Sequence, residues 1–375
     1  MDHRMETNAK NSVSVIIPAY NAGVRLNETL DRLEKQRFDG KLEIVIVDSG
    51  STDETLSICK DHGVKLLSID HSRFSHSYAR NLGAANAEGN ILVFMTQDAM
   101  PDSRNWLKTL MQPVISERIA AVSCGEACPE TTDIYYRIAV ASHRRFLGIE
   151  RNDRIGSWQE GMDSRTLRIN ASLNDITVVI SRELFDRYQY RYDYAEDLDL
   201  GIRLLEDGYR IKLLSGVRTV HGHDRPAGYY FKRGFVEARS LKKILKENGA
   251  GQGDFSDAVQ YLFDGCRAMD RIADLFKAPH QEDQVLREAL QLTDSCRKKN
   301  GVFFSGAFRN LVKYFLRQYV PYLLYHKQKW SREDYRRYTL ACMYKQHALL
   351  AGYSFGKIAD APEDLSKIEN LCKGV

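Results

Sequence analysis

Carboxylates stand at the ends of predicted elements in three separate parts of the 375-residue sequence. Asp48 follows the apolar run IVIV, Asp98 follows VFMTQ, and Glu196 and Asp197 open the segment EDLDLGIRLLEDG. Such side chains can hold a divalent cation or accept a proton from an attacking hydroxyl. Acidic residues at a helix N-terminus are also ordinary partners of the helix dipole, and an Asp before a Gly turn is often only a turn former. The residue types alone leave both interpretations open.

Alternating strands and helices must position these side chains. Short apolar runs predict buried strands at residues 13–17, 43–47, 64–69 and 91–95, with helical spacing between them. This order favours βαβ units, that is, an α/β fold whose mainly parallel sheet has helices on both faces. Since parallel strands end at one edge of a sheet, we expect Pro18 to Asn21, Asp48 to Thr52 and Thr96 to Ala99 at one rim. Ser51 and Glu54 fit a capping box that opens the second helix.

The rest of the chain changes character near residue 225. Further strands are predicted at 120–124, 175–180, 209–214 and 217–221, and a helix at 194–207. The poorly periodic stretch 128–170 predicts a long irregular excursion of the kind that forms lids or binding loops. Helices are then predicted at 227–248, 255–276, 282–297, 303–325 and 332–350. We therefore expect a polar tail at 1–12, an α/β domain at 13–240 and a helical region at 241–375.

The net charge of +4 conceals a strongly basic segment, residues 297–346, with 12 Lys or Arg against 2 acidic residues. Arg309, Lys313 and Arg317 recur there at four-residue spacing beside aromatic side chains. One interpretation is an interfacial helix that rests on anionic lipid and meets a lipid-linked acceptor. The other is a helix that packs its aromatic stripe on the α/β domain. No nucleic-acid recognition motif accompanies the charge, so no nucleic-acid partner is expected.

Cysteine usage and hydropathy indicate the compartment. The seven cysteines are an odd number without CxxC spacing, which predicts neither a disulfide framework nor a zinc site. The polar N-terminus lacks the apolar core of a signal peptide. The longest uncharged run near it, residues 11–24, is too short for a membrane span and contains Pro18. We expect a cytoplasmic protein, with the basic segment as the candidate for peripheral contact with the inner membrane face.

The segments VSVIIPAYN, IVIVDSGSTDET and YAEDLDLGIRLLEDGYRI occur in this order along the chain. Together they resemble the family 2 glycosyltransferases of the GT-A fold, over residues 13 to about 235. The resemblance implies a Rossmann-like domain that transfers a sugar, with inversion, from a nucleotide-sugar donor to an acceptor hydroxyl. In that family a divalent cation, Mg or Mn, bridges the two phosphates of the donor.

The resemblance also implies which side chains form the site. Donor and nucleotide binding is expected at Pro18, Tyr20, Asn21, Asp48, Ser49, Ser51, Arg80 and Gln97. The cation is expected on Asp98, assisted by His221 or His223 of the segment VRTVHGHDRP. Gln97 fills the family's first acidic position, which leaves Asp98 as the only carboxylate of that motif. Asp197 is the expected general base, and Glu196 is expected near donor or acceptor hydroxyls.

Two further segments, SRFSHSYARNLGA and VFMTQDA, are similar to bacterial rhamnosyltransferases of the family. That similarity implies dTDP-L-rhamnose as donor, a glycan or lipid-linked acceptor, and a role in surface polysaccharide synthesis. One alternative is the same fold with a UDP- or GDP-sugar. A second, a nucleotidyltransferase, is disfavoured because PAYNAGVRL lacks a Gly-rich phosphate loop after the first strand. A third is a catalytically silent GT-A-like binding protein, which only Gln97 supports.

Overall fold

The computed structural model describes residues 12–246, most of 256–266, and 330–357. The chain divides into two compact units. The first contains the described residues up to Thr131 together with His143–Gly222, and the second contains Thr132–Ser142 with the described residues from His223 onward. The boundary predicted near residue 240 falls inside a helix of the second unit, Ala227–Ile244.

The described part of the first unit contains one nine-stranded sheet. Its strands are β1 (Ser12–Ala19), β2 (Lys41–Asp48), β3 (Lys65–Ser68), β4 (Ile91–Met95), β5 (Met100–Pro101), β6 (Ala121–Ala127), β7 (Arg154–Gly156), β8 (Thr177–Ser181) and β9 (Ile211–Val220). The strand order is β3-β2-β1-β4-β8-β6-β9-β5, and β7 pairs with β9. Strands β1 to β4, β6 and β9 run in one direction, while β5, β7 and β8 oppose them. The prediction of a mainly parallel sheet is confirmed.

The described helices belong to both units. They are α1 (Gly23–Glu34), α2 (Thr55–Asp61), α3 (His76–Asn86), α4 (Trp106–Ser116), α5 (Ile134–Leu147), α6 (Ser164–Ala171), α7 (Arg182–Tyr188), α8 (Glu196–Glu206), α9 (Ala227–Ile244) and α10 (Arg332–Gly356). A short 3-10 helix occupies His71–Arg73. The helical character predicted for the C-terminal region is confirmed in α9 and α10.

Strand β4 shows why both faces need helices. Val93 and Met95 join a fully buried core with apolar residues of α1 and α4. Phe94 points to the opposite face, where its ring centroid lies 4.5 Å from that of Phe185 on α7. Because successive side chains of a strand alternate between faces, an apolar run such as ILVFM is stable only when each face is covered.

The predicted irregular excursion at 128–170 is wrong. This stretch contains α5, β7 and α6. Helix α6 begins with a side-chain cap, since Asp163 accepts a 2.7 Å hydrogen bond from the backbone N–H of Thr166. Helix α5 mixes aromatic, apolar and basic side chains, and α6 is only eight residues long, so neither stands out as an apolar run in the sequence. The strands predicted at 209–214 and 217–221 are also one strand, β9, whose pairing with β6 shifts register between Cys124 and Gly125.

The predicted capping box at Ser51 and Glu54 is wrong as well. Helix α2 begins later, at Thr55, and its N-cap residue is Glu54, which forms no side-chain capping hydrogen bond. The Ser51 hydroxyl donates instead to the Asp48 carboxylate. The S-x-x-E pattern alone fits a capping box. The Ser51 hydroxyl does not cap the helix because it is already bonded to Asp48, three residues earlier.

In the second unit, α9 packs along α10, with the ring centroids of Phe231 and Phe355 5.6 Å apart. The helices predicted at 282–297 and 303–325 lie outside the described residues. So does most of the basic segment 297–346, and only its last part, from residue 330, is described. None of the described helices is both long and apolar enough to cross a membrane.

Gly201 brings α8 close to α6, and this contact predicts a stability effect. A Cβ at residue 201 would overlap the carbonyl oxygen of Ala171. We expect Gly201→Ala to lower the free energy of unfolding by about 1–3 kcal/mol, because both atoms belong to packed backbone. Urea unfolding measures this change. Gly228→Ala, in the first turn of α9, is the matched control, since nothing lies within 4 Å of its Cβ position. Equal stability of the two variants would contradict the prediction.

Candidate active site

Three loops at the carboxyl ends of β1, β2 and β4 form one hydrogen-bonded rim, as the sequence predicts. The Gln97 side chain accepts from the backbone N–H of Tyr20 at 2.7 Å and donates to the Tyr20 carbonyl at 3.2 Å. The backbone N–H of Asn21 donates to the Ser51 hydroxyl at 2.8 Å. The Asn21 amide oxygen in turn accepts from the backbone N–H of Thr52 at 2.9 Å. Gln97 and Asn21 thus join the loop after β1 to both neighbouring loops.

Asp48 shapes the turn after β2. One of its carboxylate oxygens accepts from the backbone N–H groups of Gly50 at 3.0 Å and Ser51 at 3.1 Å, and the other accepts from the Ser51 hydroxyl. Gly50 has φ +90, a value that favours glycine. The backbone N–H of Ser49 donates to the carbonyl of Ala19, the last residue of β1, at 2.9 Å. Asp48 is only 2% exposed and forms the turn, and its expected contact with the nucleotide stays a prediction.

The rim also carries an aromatic pair, Tyr20 and His71, of which only Tyr20 was expected from the sequence. Tyr20 is 43% exposed, and its ring centroid lies 4.6 Å from that of His71. The His71 Nδ1 lies 3.3 Å from the Ser49 carbonyl oxygen, which places the ring beside the turn after β2. Exposed aromatic faces of this kind are suited to stacking on a nucleobase. The position of His71 just after a predicted strand is the one signal that could have identified it.

Pro18, also expected at the donor site, is buried within β1.

Arg80, expected beside the diphosphate, is buried instead. Its side chain is 1% exposed and forms an ion pair with Glu196. The guanidinium also donates to the carbonyl of Asp175 at 3.1 Å and lies 5.7 Å from the ring centroid of Tyr190. A buried carboxylate requires a paired cation, so Glu196 holds this guanidinium in the interior. In this arrangement Arg80 positions the start of α8.

The three acidic residues in the first turn of α8 have different partners. Glu196 pairs with Arg80, and Asp199 pairs with Arg203 at 2.7 Å. Asp197 forms no ion pair with any residue that the structure describes. Burial, and then the charge of the nearby Asp175 carboxylate, raise the pKa of Asp197 to about 7. A carboxylate with a pKa near neutrality suits general base catalysis.

The backbone before this turn is strained. Ala195, the N-cap of α8, has φ +54 and ψ 32, the left-handed conformation. For a residue with a Cβ this conformation costs about 1–2 kcal/mol. Strain of this kind persists where surrounding contacts hold the backbone in the strained conformation, and it is frequent at active sites. The Arg80–Glu196 ion pair is such a contact, since it fixes the residue directly after Ala195.

Asp98 and His221 lie together at the same edge of the sheet. The His221 Nε2 is 3.2 Å from an Asp98 carboxylate oxygen, and its Nδ1 is 2.8 Å from Glu126 Oε1. Burial opposes the charged ring, but hydrogen bonds and charge from Asp98 and Glu126 outweigh it and raise the pKa of His221 to about 10. Glu126 lies on β6 and was not predicted as a site residue, because no motif in the sequence distinguishes it from other residues of a buried strand.

His223 belongs to the second unit, where its ring centroid lies 4.2 Å from that of Tyr136.

One carboxylate oxygen and one imidazole nitrogen are a suitable start for a Mg²⁺ or Mn²⁺ site. Glu126 on Nδ1 adds the arrangement common behind metal-binding histidines, in which a carboxylate fixes the ring while Nε2 faces the ion. A cation on Nε2 would displace the proton between this nitrogen and Asp98, while Nδ1 would keep its hydrogen bond to Glu126. The donor set therefore fits a divalent cation.

Comparisons with known proteins bear on the family and the fold. Residues 14–175 match the model of glycosyl transferase family 2. The O-antigen chain rhamnosyltransferase WbaN of Salmonella anatum is 28% identical over 230 residues, 60% of this chain and 70% of the relative. The O-antigen chain rhamnosyltransferase RfbN of Salmonella typhimurium is 27% identical over 228 residues, with the same coverage.

Among solved structures, the mannosyltransferase PcManGT from Pyrobaculum calidifontis, in complex with GDP-Man and Mn²⁺, is similar in fold. The TM-score is 0.52 at 18% identity, over 93% of this chain and 88% of that protein. This likeness supports the fold alone. The fold is that of the GT-A glycosyltransferases, and residues 14–175 match glycosyl transferase family 2.

Proposed function

We propose that this enzyme catalyses inverting transfer of a sugar from dTDP-L-rhamnose to a glycan or lipid-linked acceptor in bacterial surface polysaccharide synthesis. The observation that carries the chemical step is the place of Asp197 in the first turn of α8, between Glu196 and Asp199, which are paired with arginines. Burial and the charge of Asp175 raise its pKa to about 7. The rhamnose donor rests on the two Salmonella relatives and on the TQDA segment. UDP- and GDP-sugars remain the alternative donors.

Inversion requires a single displacement at the anomeric carbon. Asp197 accepts the proton of the acceptor hydroxyl while the acceptor oxygen forms its bond to that carbon. The bond between the anomeric carbon and the donor phosphate breaks, and its electron pair leaves with the nucleoside diphosphate. Arg80 holds the neighbouring Glu196 in the interior, which orients the first turn of α8. Contact between Glu196 and sugar hydroxyls stays a prediction.

The departing diphosphate carries charge that the protein must accommodate. Asp98 and His221 would hold a divalent cation there, with Glu126 fixing the imidazole. When bound, such an ion neutralises charge on the leaving diphosphate. His223 stays a prediction as a further contact to the ion or the diphosphate. The exposed ring of Tyr20 and its neighbour His71 offer a stacking surface for the base.

Peripheral contact with the inner face of the cell membrane remains part of the proposal. It rests on the charge of residues 297–346, most of which lie outside the described residues. A lipid-linked acceptor would account for a basic and aromatic sequence at this place in the chain.

Asp197→Asn tests the chemical step. We expect a loss of at least about 10³-fold in sugar transfer, or in donor hydrolysis where the acceptor is unknown, because an amide cannot take the proton. The fold should survive. A carboxyl whose pKa is raised in the folded state reduces stability as pH rises from about 4 through 7, so removal of the charge should raise the melting temperature at pH 8. Full activity of this variant would exclude Asp197 as the base.

The pH profile provides the matched test. Wild-type activity should fall as pH drops through about 7, since Asp197 becomes protonated. Asp175→Asn removes the like charge that helps to raise the pKa of Asp197, so the acidic limb of kcat/KM should move to lower pH. Asp186→Asn, which changes an exposed carboxylate on α7, should leave the limb in place. An unchanged limb in Asp175→Asn would contradict this account of the base.

Glu126→Gln tests the cation site apart from turnover. Loss of the charge behind His221 should weaken Mn²⁺ binding about 10- to 100-fold, as for other groups that orient metal-binding histidines. Electron paramagnetic resonance of free Mn²⁺, titrated with protein and nucleoside diphosphate, measures this affinity. Glu117→Gln is the control, because this carboxylate pairs with Lys212 at the surface. Wild-type affinity in Glu126→Gln would remove Glu126 from the site.

Nucleotide preference can be measured without an acceptor. A ligand that binds only the folded state raises the melting temperature, so dTDP with Mn²⁺ should raise it more than UDP or GDP. If dTDP gave no larger shift, the rhamnose donor would be wrong while the glycosyltransferase assignment would stand. If no nucleoside diphosphate or nucleotide-sugar produced a shift, with or without Mn²⁺, the proposed donor class would be excluded.

A further inference from the structure

Helix α10 contributes a buried ammonium group to the second unit. The side chain of Lys345 is 11% exposed, and its Nζ lies 3.0 Å from Asp133 Oδ1 and 2.7 Å from Asp224 Oδ1. Lysine is rarely buried unless it is paired. Here one cation joins three segments that are distant in sequence: the residues before α5, the loop before α9, and α10. The Asp133 side chain is 12% exposed, whereas the Asp224 side chain is 76% exposed.

Aromatic packing encloses this ion pair. The Lys345 Nζ lies 5.9 Å from the ring centroid of Tyr230. That ring packs edge-to-face against Tyr135, whose hydroxyl donates to Gln346 at 3.1 Å. Burial lowers the pKa of Lys345, but hydrogen bonds and charge from Asp224 and Asp133 outweigh it, so the net shift is upward. The ammonium is therefore charged and held in one place.

His223 is connected to both aspartates of this cluster, to one along the chain and to the other through Tyr136. Asp224 comes directly after it in the chain. Across the ring, Tyr136 lies 4.2 Å away between centroids, and the backbone N–H of Tyr136 donates to the second oxygen of Asp133 at 3.2 Å. The backbone on one side of His223 and the aromatic surface against its ring thus both depend on an aspartate paired with Lys345.

We infer that Lys345 is a positioning residue for His223, which it orients for contact with the donor diphosphate or its cation. This inference rests on the proposed role of His223. It gives α10 a function in the reaction, since α10 supplies the charge that fixes a loop of the proposed site. A lysine that only stabilised the second unit would affect folding and leave the imidazole of His223 unchanged.

A double-mutant cycle separates the two roles. The variants are Lys345→Met, Lys345→Arg, His223→Ala and the Lys345→Met/His223→Ala pair, with donor KM, kcat and the dTDP dissociation constant in Mn²⁺ measured for each. We expect Lys345→Met to raise KM and the dissociation constant about tenfold with a smaller change in kcat, and Lys345→Arg to recover most of that loss. In the His223→Ala background, Lys345→Met should add less than about twofold, because coupled residues are not additive.

Several outcomes are decisive. Equal losses from Lys345→Met in both backgrounds would overturn the positioning role. If Lys345→Met does not fold, Asp224→Asn replaces it, because this exposed partner can be changed without burying an unpaired charge. Lys357→Met, at the exposed C-terminal end of α10, is the control and should match wild type.

A spectroscopic measurement keeps this inference distinct from the proposed function. In protein with ¹⁵N-labelled histidine, the imidazole resonances of His223, assigned by their absence in His223→Ala, should shift in Lys345→Met and stay in place in Lys357→Met. Unchanged resonances would overturn the inference even in an active enzyme. An enzyme that turns over no nucleotide-sugar would contradict the proposed function, while a shift of these resonances would still support Lys345 as the residue that orients His223.

Discussion

The buried ion pair between Arg80 and Glu196 is the constraint on which the proposed catalytic helix depends. It joins α3 to the first residue of α8, and the same guanidinium holds the carbonyl of Asp175 just before β8. Loss of one member of such a pair leaves an uncompensated buried charge and typically costs about 3–5 kcal/mol. That penalty is large enough to keep Ala195 in its left-handed conformation, whose cost is about 1–2 kcal/mol. The direction in which α8 leaves its preceding loop is therefore set by electrostatics in the interior.

The pairing of charges in this region also accounts for the unusual carboxylate. Arg80 neutralises Glu196, and Arg203 neutralises Asp199 while donating to the carbonyls of Tyr188 and Gln189. Both arginines are paired with these other carboxylates. Burial and the like charge of Asp175 raise the pKa of Asp197, and they outweigh the lowering by the charge of Arg80. Helix N-termini usually lower the pKa of an acidic side chain because the helix dipole favours negative charge. Here burial and a like charge outweigh that effect, and the result is a carboxylate that can take up a proton near neutral pH.

Elements with strong hydrophobic periodicity were predictable from the sequence, whereas ambiguous local patterns were not. The continuous apolar runs predicted β1, β2 and β4 and placed their loops at one rim, since buried strands have few alternatives. The S-x-x-E pattern at Ser51 could not reveal that Asp48 would capture the hydroxyl. Arg80 carries no mark in the sequence to say whether its guanidinium faces a phosphate or a buried carboxylate 116 residues away. Glu126 and Asp175 act through spatial proximity alone, so no spacing rule could identify them.

Gln97 shows how this site can lose a carboxylate without losing its architecture. Its amide both donates to and accepts from the backbone of Tyr20, whereas a carboxylate at this position would accept from the N–H and repel the carbonyl oxygen. The exchange therefore strengthens the rim and removes one negative charge from the proposed cation site. Glu126 would compensate from behind, because Asp98 and Glu126 would together supply two negative charges near a divalent cation held at a neutral His221. Such a site would need its histidine to be held rigidly, since the imidazole lies between Glu126 and the position of the ion.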